Sequence, residues 1–385
     1  MWKITVAVAA ITAVGSGLVN AAPNYSFTDL GTFGGSYSVA NDINDSGKVV
    51  GFAYKPFSGN SAIYSAFIWN GSALTDLGTL GGTQSLATAI NNSDQVAGWA
   101  NITGDSTNHA VIWNGTTVTD LHPAGSGSSG AYGINDYGQV AGYENSGFSN
   151  RATIWNDGIA SPLGNSPGSL GESINNSGQV VGSETNGYQQ AVLWNGGEKT
   201  ILSNNSMAMS INNAGQIVGM SMEITTGEIL GNPATLWTGT EAIYLGYLGG
   251  TQSLGMDIND RGQVVGYSFL AGNSTPHAFL WDEGVMLDLN DFLDTPTKEQ
   301  GWVLKIARAI NNGGWIVGDA SNNLTGETHA FLLSISPVPE AETYSMLLAG
   351  LGLVGIAWRR REHGRKIKFP ERYNRTPNLR NNEAV

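Results

Sequence analysis

Nine residues recur seven times along this chain. They read INDSGKVVG from Ile43, INNSDQVAG from Ile90, INDYGQVAG from Ile134 and INNSGQVVG from Ile174. INNAGQIVG follows from Ile211, INDRGQVVG from Ile258 and INNGGWIVG from Ile310, so successive copies lie 47, 44, 40, 37, 47 and 52 residues apart. Units of roughly 40–50 residues built from short β-type runs are the pattern of propeller blades, whereas helical repeats would carry a 3.6-residue period. A chain of 385 residues exceeds one ordinary core, and the period makes it one repetitive domain instead of two separate ones.

Each unit divides into four strand-like runs bounded by turn residues. In the first unit these are SYSVANDI, KVVGF, SAFIW and ALTDLG. The nine-residue motif is the hairpin joining the first two runs. Asn44, Asp45 and Ser46 bend the chain through local hydrogen bonds, and Gly47 accepts a positive φ. Asp94 holds the glycine position in the second unit, and Asp tolerates the left-handed region better than most residues. Replacing it by Gly is therefore expected to be neutral or mildly stabilising.

In SAFIW, Phe67 and Trp69 point one way while Ala66 and Ile68 point the other. Both faces are apolar, as radially arranged sheets covered on two sides require. The Trp that ends this run (69, 113, 155, 194, 237 and 281) is assigned to packing between blades. Trp99 and Trp315 fall outside that series and are the candidates for exposed aromatic contacts. The ends of the array complement each other. YSFTDLG (25–31) is a fourth run with no unit before it, and the seventh unit stops at HAFLLSI (329–335) without one. Joining them removes two exposed sheet edges. The expected fold is all-β: a seven-bladed β-propeller of four-stranded antiparallel blades spanning 22–335, closed by the N-terminal strand, with one hydrophobic helix beyond it.

The termini carry their own signals. MWKITVAVAAITAVGSGLVNAAP opens with one positive charge, an apolar stretch and small residues, which predicts a secretory signal peptide over 1–21 cleaved before Ala22. Near the other end, residues 343–358 are sixteen uncharged residues followed by Arg359, Arg360 and Arg361. That pattern predicts a short transmembrane segment with its arginine end on the cytoplasmic side. Residues 362–385 then form a basic, disordered cytoplasmic tail. Charge is segregated accordingly: residues 359–385 hold nine of the eighteen basic residues, and residues 22–358 carry a net charge of −20. So acidic a body repels nucleic acid and anionic lipid. With no cysteine in the chain, stability must come from core size and not from disulfides.

Two resemblances follow from quoted residues. The units resemble the HAF repeat, through HAF at 277–279 and 329–331 and DLGTLGG at 76–82. This resemblance implies an exported repeat protein with no established activity. The segment VPEAETYSMLLAGLGLVGIAWRRR (338–361) resembles a PEP-CTERM sorting signal. Pro339 and Glu340 match its motif, Ala341 replaces its second proline, and Arg359–Arg361 match its basic stop. The resemblance implies a membrane sorting enzyme of the exosortase type as partner, in bacteria that make exopolysaccharide. Domain bounds follow as signal peptide 1–21, repeats 22–335, sorting signal 336–361 and tail 362–385.

Catalytic chemistry is hard to find in the sequence. His109, His277 and His329 share one repeat position that elsewhere holds Ser65, Arg151, Gln190 and Pro233, while His122 and His363 stand alone. Such scatter reads as strand-start residues at blade edges and not as an acid–base set. DINDSG (42–47) and DINDRG (257–262) resemble the start of a calcium loop but lack its closing glutamate, so they read as turns. No cofactor is expected, and only weak surface binding of calcium is left open. No cluster of unique polar residues breaking the repeat near the axis is visible. The expected function is thus a non-catalytic binding or structural scaffold of the cell surface or matrix, with extracellular polysaccharide or surface proteins as partners. The alternative is a glycan-active hydrolase or lyase with its site in the propeller channel.

Overall fold

The computed structural model describes residues 25–335, apart from 57–62, 123–126, 146, 148, 165 and 226–227. The predicted signal peptide, the helix expected over the hydrophobic segment 343–358, the tail 362–385 and the sorting residues Pro339, Glu340, Ala341, Arg359, Arg360 and Arg361 lie outside the described residues. Among the described residues, no helix is long and apolar enough to cross a membrane.

Seven four-stranded antiparallel sheets form the blades of a propeller. In the first blade the inner strand Ser38–Ile43 pairs with Val49–Tyr54, which pairs with Tyr64–Trp69, then with the outer strand Leu74–Asp76. The seventh blade is composite. Its three strands Trp302–Ile310, Ile316–Asn322 and Thr328–Ile335 come from the last unit, and Tyr25–Asp29 completes it on the outside. Tyr25 faces Ile335 and Asp29 faces Phe331 in this antiparallel pair. The ring is closed as the sequence predicts.

The core is distributed. Seven apolar clusters each join two neighbouring blades, so every blade is buried on both faces. Ala40, Val49 and Phe67 of blade 1 meet Ala309, Val317 and Leu332 of blade 7, for instance. Trp113, Trp155, Trp194 and Trp237 are buried in four of these interfaces, as their fixed place in the repeat predicts. The uneven spacing has a structural cause. A two-stranded hairpin, Glu223–Thr225 with Glu228–Gly231, is inserted in blade 5. A 3-10 turn Leu289–Phe292 and a short helix Thr295–Glu299 precede blade 7. This pair departs from the expected strand-only body, and Leu289 and Leu293 enter the core between blades 6 and 7.

The seven hairpins have the expected backbone. Gly47, Gly138, Gly178, Gly215, Gly262 and Gly314 have φ between 75° and 81°, and Asp94 joins them at 64°. Asp94 is nevertheless not interchangeable with Gly. Its carboxylate accepts from Asn44 Nδ2 at 3.0 Å and from Lys48 Nζ at 2.6 Å, so removing it costs Asn44 one of its two acceptors and Lys48 its ion-pair partner. The expectation of neutrality looked only at φ.

Candidate functional site

All seven inner strands line a central channel, and the repeated turns ring one end of it. The first Asn of each turn donates from Nδ2 to the backbone carbonyl of its counterpart in the next blade. Asn44 donates to Asn91, and so on round to Asn311, which donates back to Asn44, at 3.0–3.2 Å throughout. A second ring runs through the following residue. The backbone N–H of Asp45 donates to Asn92 Oδ1, and the chain continues through Asp136, Asn176, Asn213, Asp260 and Asn312 back to Asp45, at 2.9–3.0 Å.

The order of acids and amides in this second ring follows from electrostatics. Asp45, Asp136 and Asp260 are each flanked on both sides by Asn, whose side-chain amides approach the carboxylates at 3.0–3.4 Å. Three is the largest number of carboxylates that a seven-membered ring holds without two being adjacent, where like charges would repel. Burial raises the Asp136 carboxyl, but hydrogen bonds from Asn176 and Asn92 outweigh it and hold the group below its usual range. The recurring motif is therefore more than a turn: it locks each blade to the next around the axis.

The seven motif isoleucines are buried in the clusters between blades, and just before them in each inner strand the repeat breaks. Every inner strand carries a β-bulge two residues before its isoleucine. The register skips from Ala40 to Asp42, from Gly171 to Ser173 and from Ala307 to Ala309, with equivalents in the other four blades. A bulge leaves one residue unpaired and re-aims its side chain. The residues so released are Asn41, Thr88, Tyr132, Glu172, Met209, Met256 and Arg308, and all seven line one cavity of about 340 Å³ at the wide mouth of the channel. The sequence reading found no unique polar cluster near the axis, and the structure overturns that. The signal was a single variable column beside an almost invariant one, meaningful only once the bulge is known.

Deeper in this mouth sit Asp42 and Asp257. Asp42 accepts from the backbone N–H groups of Ile43 and, in the next blade, Ile90, both at 2.8 Å. Asp257 accepts from Ser210 Oγ at 2.6 Å and from Ile310 N at 2.9 Å. These are the leading acids of the two calcium-like loops, and their oxygens hold strands of neighbouring blades. Their surfaces open onto the channel, yet protein surrounds that space and leaves little water to solvate a charge. Burial, with Asp257 adding to it, lifts the Asp42 carboxyl to about 8. Burial alone lifts Glu172 to about 7, and burial raises Asp257 too. Near neutral pH Asp42 and Glu172 can therefore donate hydrogen bonds as well as accept them.

A pH dependence follows. A carboxyl whose folded pKa lies above its unfolded value stabilises the fold below the unfolded value, and that contribution is lost as pH rises through the folded one. For Glu172 and Asp42 the window runs from about 4 up to about 8. His329, raised by its hydrogen bond to Asp29, acts with the same sign from its ordinary value upward. The melting temperature is expected to be higher near pH 5 than near pH 9, and Asp42→Asn should flatten that slope. A flat wild-type profile would contradict the assignment.

One wall of the mouth is aromatic. Tyr37 and Phe52 line the cavity and pack with Tyr54 and Tyr64, the last two stacked at 5.5 Å with a 16° interplanar angle. Trp99 meets the edge of Tyr64 at 6.1 Å, so this candidate from the sequence adjoins the site. In the adjoining blade 7, close enough to act on Tyr37, Arg308 Nε donates to Asp319 at 2.7 Å. The histidines have a different job. His109, His277 and His329 bind Asp120, Asp288 and Asp29 at 2.9, 2.6 and 2.9 Å, pinning the third strand to the fourth. Among the described residues no group of three or more His, Cys, Asp or Glu side chains is placed to hold a metal.

No curated protein matches this chain. Among solved structures, the β-propeller domain of the Trilobed protease from Pyrococcus furiosus aligns at 12% identity and a TM-score of 0.50, covering 77% of this chain and 93% of that one. The acylaminoacyl peptidase of Pyrococcus horikoshii aligns at 13% identity and a TM-score of 0.48, over 77% of this chain and 50% of its own. The first likeness shows the fold and nothing of activity. Residues 337–361 match the PEP-CTERM protein-sorting motif, a signal that implies export and sorting at the cell surface.

Proposed function

We propose that this exported protein is a non-catalytic scaffold of the cell surface or matrix, of the HAF-repeat type, that holds extracellular polysaccharide in the wide mouth of its propeller. The observation behind this reading is the set of seven bulges, which bring unlike side chains together where the rest of the repeat is nearly uniform. An aromatic wall offers stacking area, while Glu172, Tyr132, Asn41 and Arg308 offer donors and acceptors, the usual composition of a binding cleft. A glycan array probed with the full chain is expected to give a defined set of retained glycans. Glu172→Gln and Arg308→Gln should weaken that retention about tenfold.

A hydrolase or lyase is the second reading. It is favoured by one observation: Glu172 is raised to about 7, which suits a general acid near neutral pH. A reducing-sugar release assay on the retained glycans separates the two. Release that Glu172→Gln abolishes would replace the scaffold with an enzyme, and retention without release would keep it.

The sorting match at 337–361 supports a route for this protein. Residues 22–342 cross the inner membrane, residues 343–358 hold the chain there, and Arg359–Arg361 stay in the cytoplasm because charge resists the hydrocarbon core. An exosortase-type enzyme accepting Pro339-Glu340-Ala341 would release the body to the surface or matrix. Tags at both ends should separate on fractionation after cleavage and stay together at the membrane without it. A full-length cytosolic protein with its leader intact would refute the route.

A further inference from the structure

The nine-residue motif departs from its own pattern at three places in the turn. Five blades carry Gln immediately after the turn glycine position, but blade 1 has Lys48 and blade 7 has Trp315. Blade 2 has Asp94 where the others have Gly. Blades 7, 1 and 2 are consecutive around the ring, and all three departures line one cavity of about 500 Å³ on the turn face.

Two of the departures explain each other. In the five Gln blades, Gln Oε1 accepts from the Asn Nδ2 of its own turn at 2.8–2.9 Å. Lys48 has no acceptor to offer, and Asp94 reaches back from blade 2 to accept from both Asn44 and Lys48. Trp315 has no such compensation. It lies against Gly47, where an added Cβ would come within 2.6 Å of its ring, in the place that Gln95 takes against Gly138. It offers Asn311 no acceptor of the kind Gln gives the turn Asn in five blades, and it lacks the full burial of the interface tryptophans, being only half-buried. At a position that a smaller amide fills in five blades, this large aromatic packs one side against the core between blades 7 and 1 and turns the rest of its ring to the cavity.

We infer that this cavity is a binding site for a neutral saccharide unit. Trp315 and Trp69 wall it, with Lys48, Asp94, Asn70 and Asn92 at its edge. A pyranose ring carries an apolar C–H face that packs on an indole and a rim of hydroxyls that each donate and accept. The cavity supplies a carboxylate acceptor, an ammonium donor and two amides, in a volume suited to a small ligand. Because Lys48 and Asp94 neutralise each other, and the body around them is strongly acidic, an uncharged sugar fits better than a uronate. This site is separate from the channel mouth and stands whether or not that reading holds.

The test is a titration of the full chain with cellotriose, maltotriose, tri-N-acetylchitotriose and a triuronate, followed by tryptophan fluorescence and calorimetry. At least one neutral trisaccharide is expected to bind. Trp315→Gln, which restores the residue of the five regular blades and so should fold, is expected to weaken it about tenfold or more. The double change Lys48→Gln with Asp94→Gly restores the regular turns and should weaken it as well. Ile159→Thr, on the exposed outer strand of blade 3 and away from both cavities, should leave it unaltered. Absence of neutral-sugar binding, or binding untouched by Trp315→Gln at an unchanged melting temperature, would overturn the site. Preference for the triuronate, or for a proline-rich peptide run as comparator, would overturn the ligand class.

Discussion

Deleting residues 22–31 is expected to cost about 5 kcal/mol and to lower the melting temperature by about 10 °C or more. The deletion removes the outer strand of blade 7, including buried Tyr25 and Leu30, and Phe27, which packs on Trp302 and Phe331 at 5.9 and 6.4 Å. Each side chain of that kind contributes about 1.5–3 kcal/mol by burial. The bond between Asp29 and His329 goes with them. A domain holding about 5–15 kcal/mol in total cannot absorb that loss without consequence. The third strand Thr328–Ile335 would become an open edge, a template for pairing with other chains, so soluble aggregates should appear alongside the lowered transition. Equal stability and solubility of the truncated and intact proteins would mean that the strand does not close the ring.

A second large effect is expected from one added methyl group. At Gly182, the last residue of the motif in blade 4, a Cβ would stand 2.0 Å from the carbonyl oxygen of Leu170. Gly182→Ala should therefore cost about 3 kcal/mol, the upper range for overpacking, because the obstacle is backbone and cannot rotate away. The same residue keeps the bulge that releases Glu172 into the channel, so binding at the wide mouth should fall together with stability. Gly164→Ala is the control: its Cβ would meet only Trp194 Nε1, at 3.8 Å, and its denaturation midpoint should barely move. If both variants unfold alike, the bulge contact is not the cause.

These two glycines also show how legibility is divided. The turn glycines could be read from sequence, because a positive φ is a local demand met within four residues. The closing glycine could not. In all seven blades its Cβ would lie 1.9–2.1 Å from a carbonyl on the bulged inner strand, a contact between residues about twelve apart that exists only when the two strands are in register. Trp69 and its equivalents were assignable to blade interfaces from strand alternation alone. Trp315 was singled out only as an exception, and its partners Lys48 and Asp94 became visible when three blades met.

The sequence by itself determined the number of blades, the hairpin in each, the apolar faces between them and the strand that closes the ring. All of these follow from period, alternation and the complementary ends, which are properties of residues near one another in the chain. Tertiary structure alone decided which residues face the axis, because a bulge shifts the alternation by one and turns Glu172, Arg308 and their counterparts inward. It also decided what the recurring Asn–Asp and Asn–Asn pairs are for. Their hydrogen bonds run to the neighbouring blade, up to 267 positions away between Asn311 and Asn44, and only a closed circle gives each donor its acceptor.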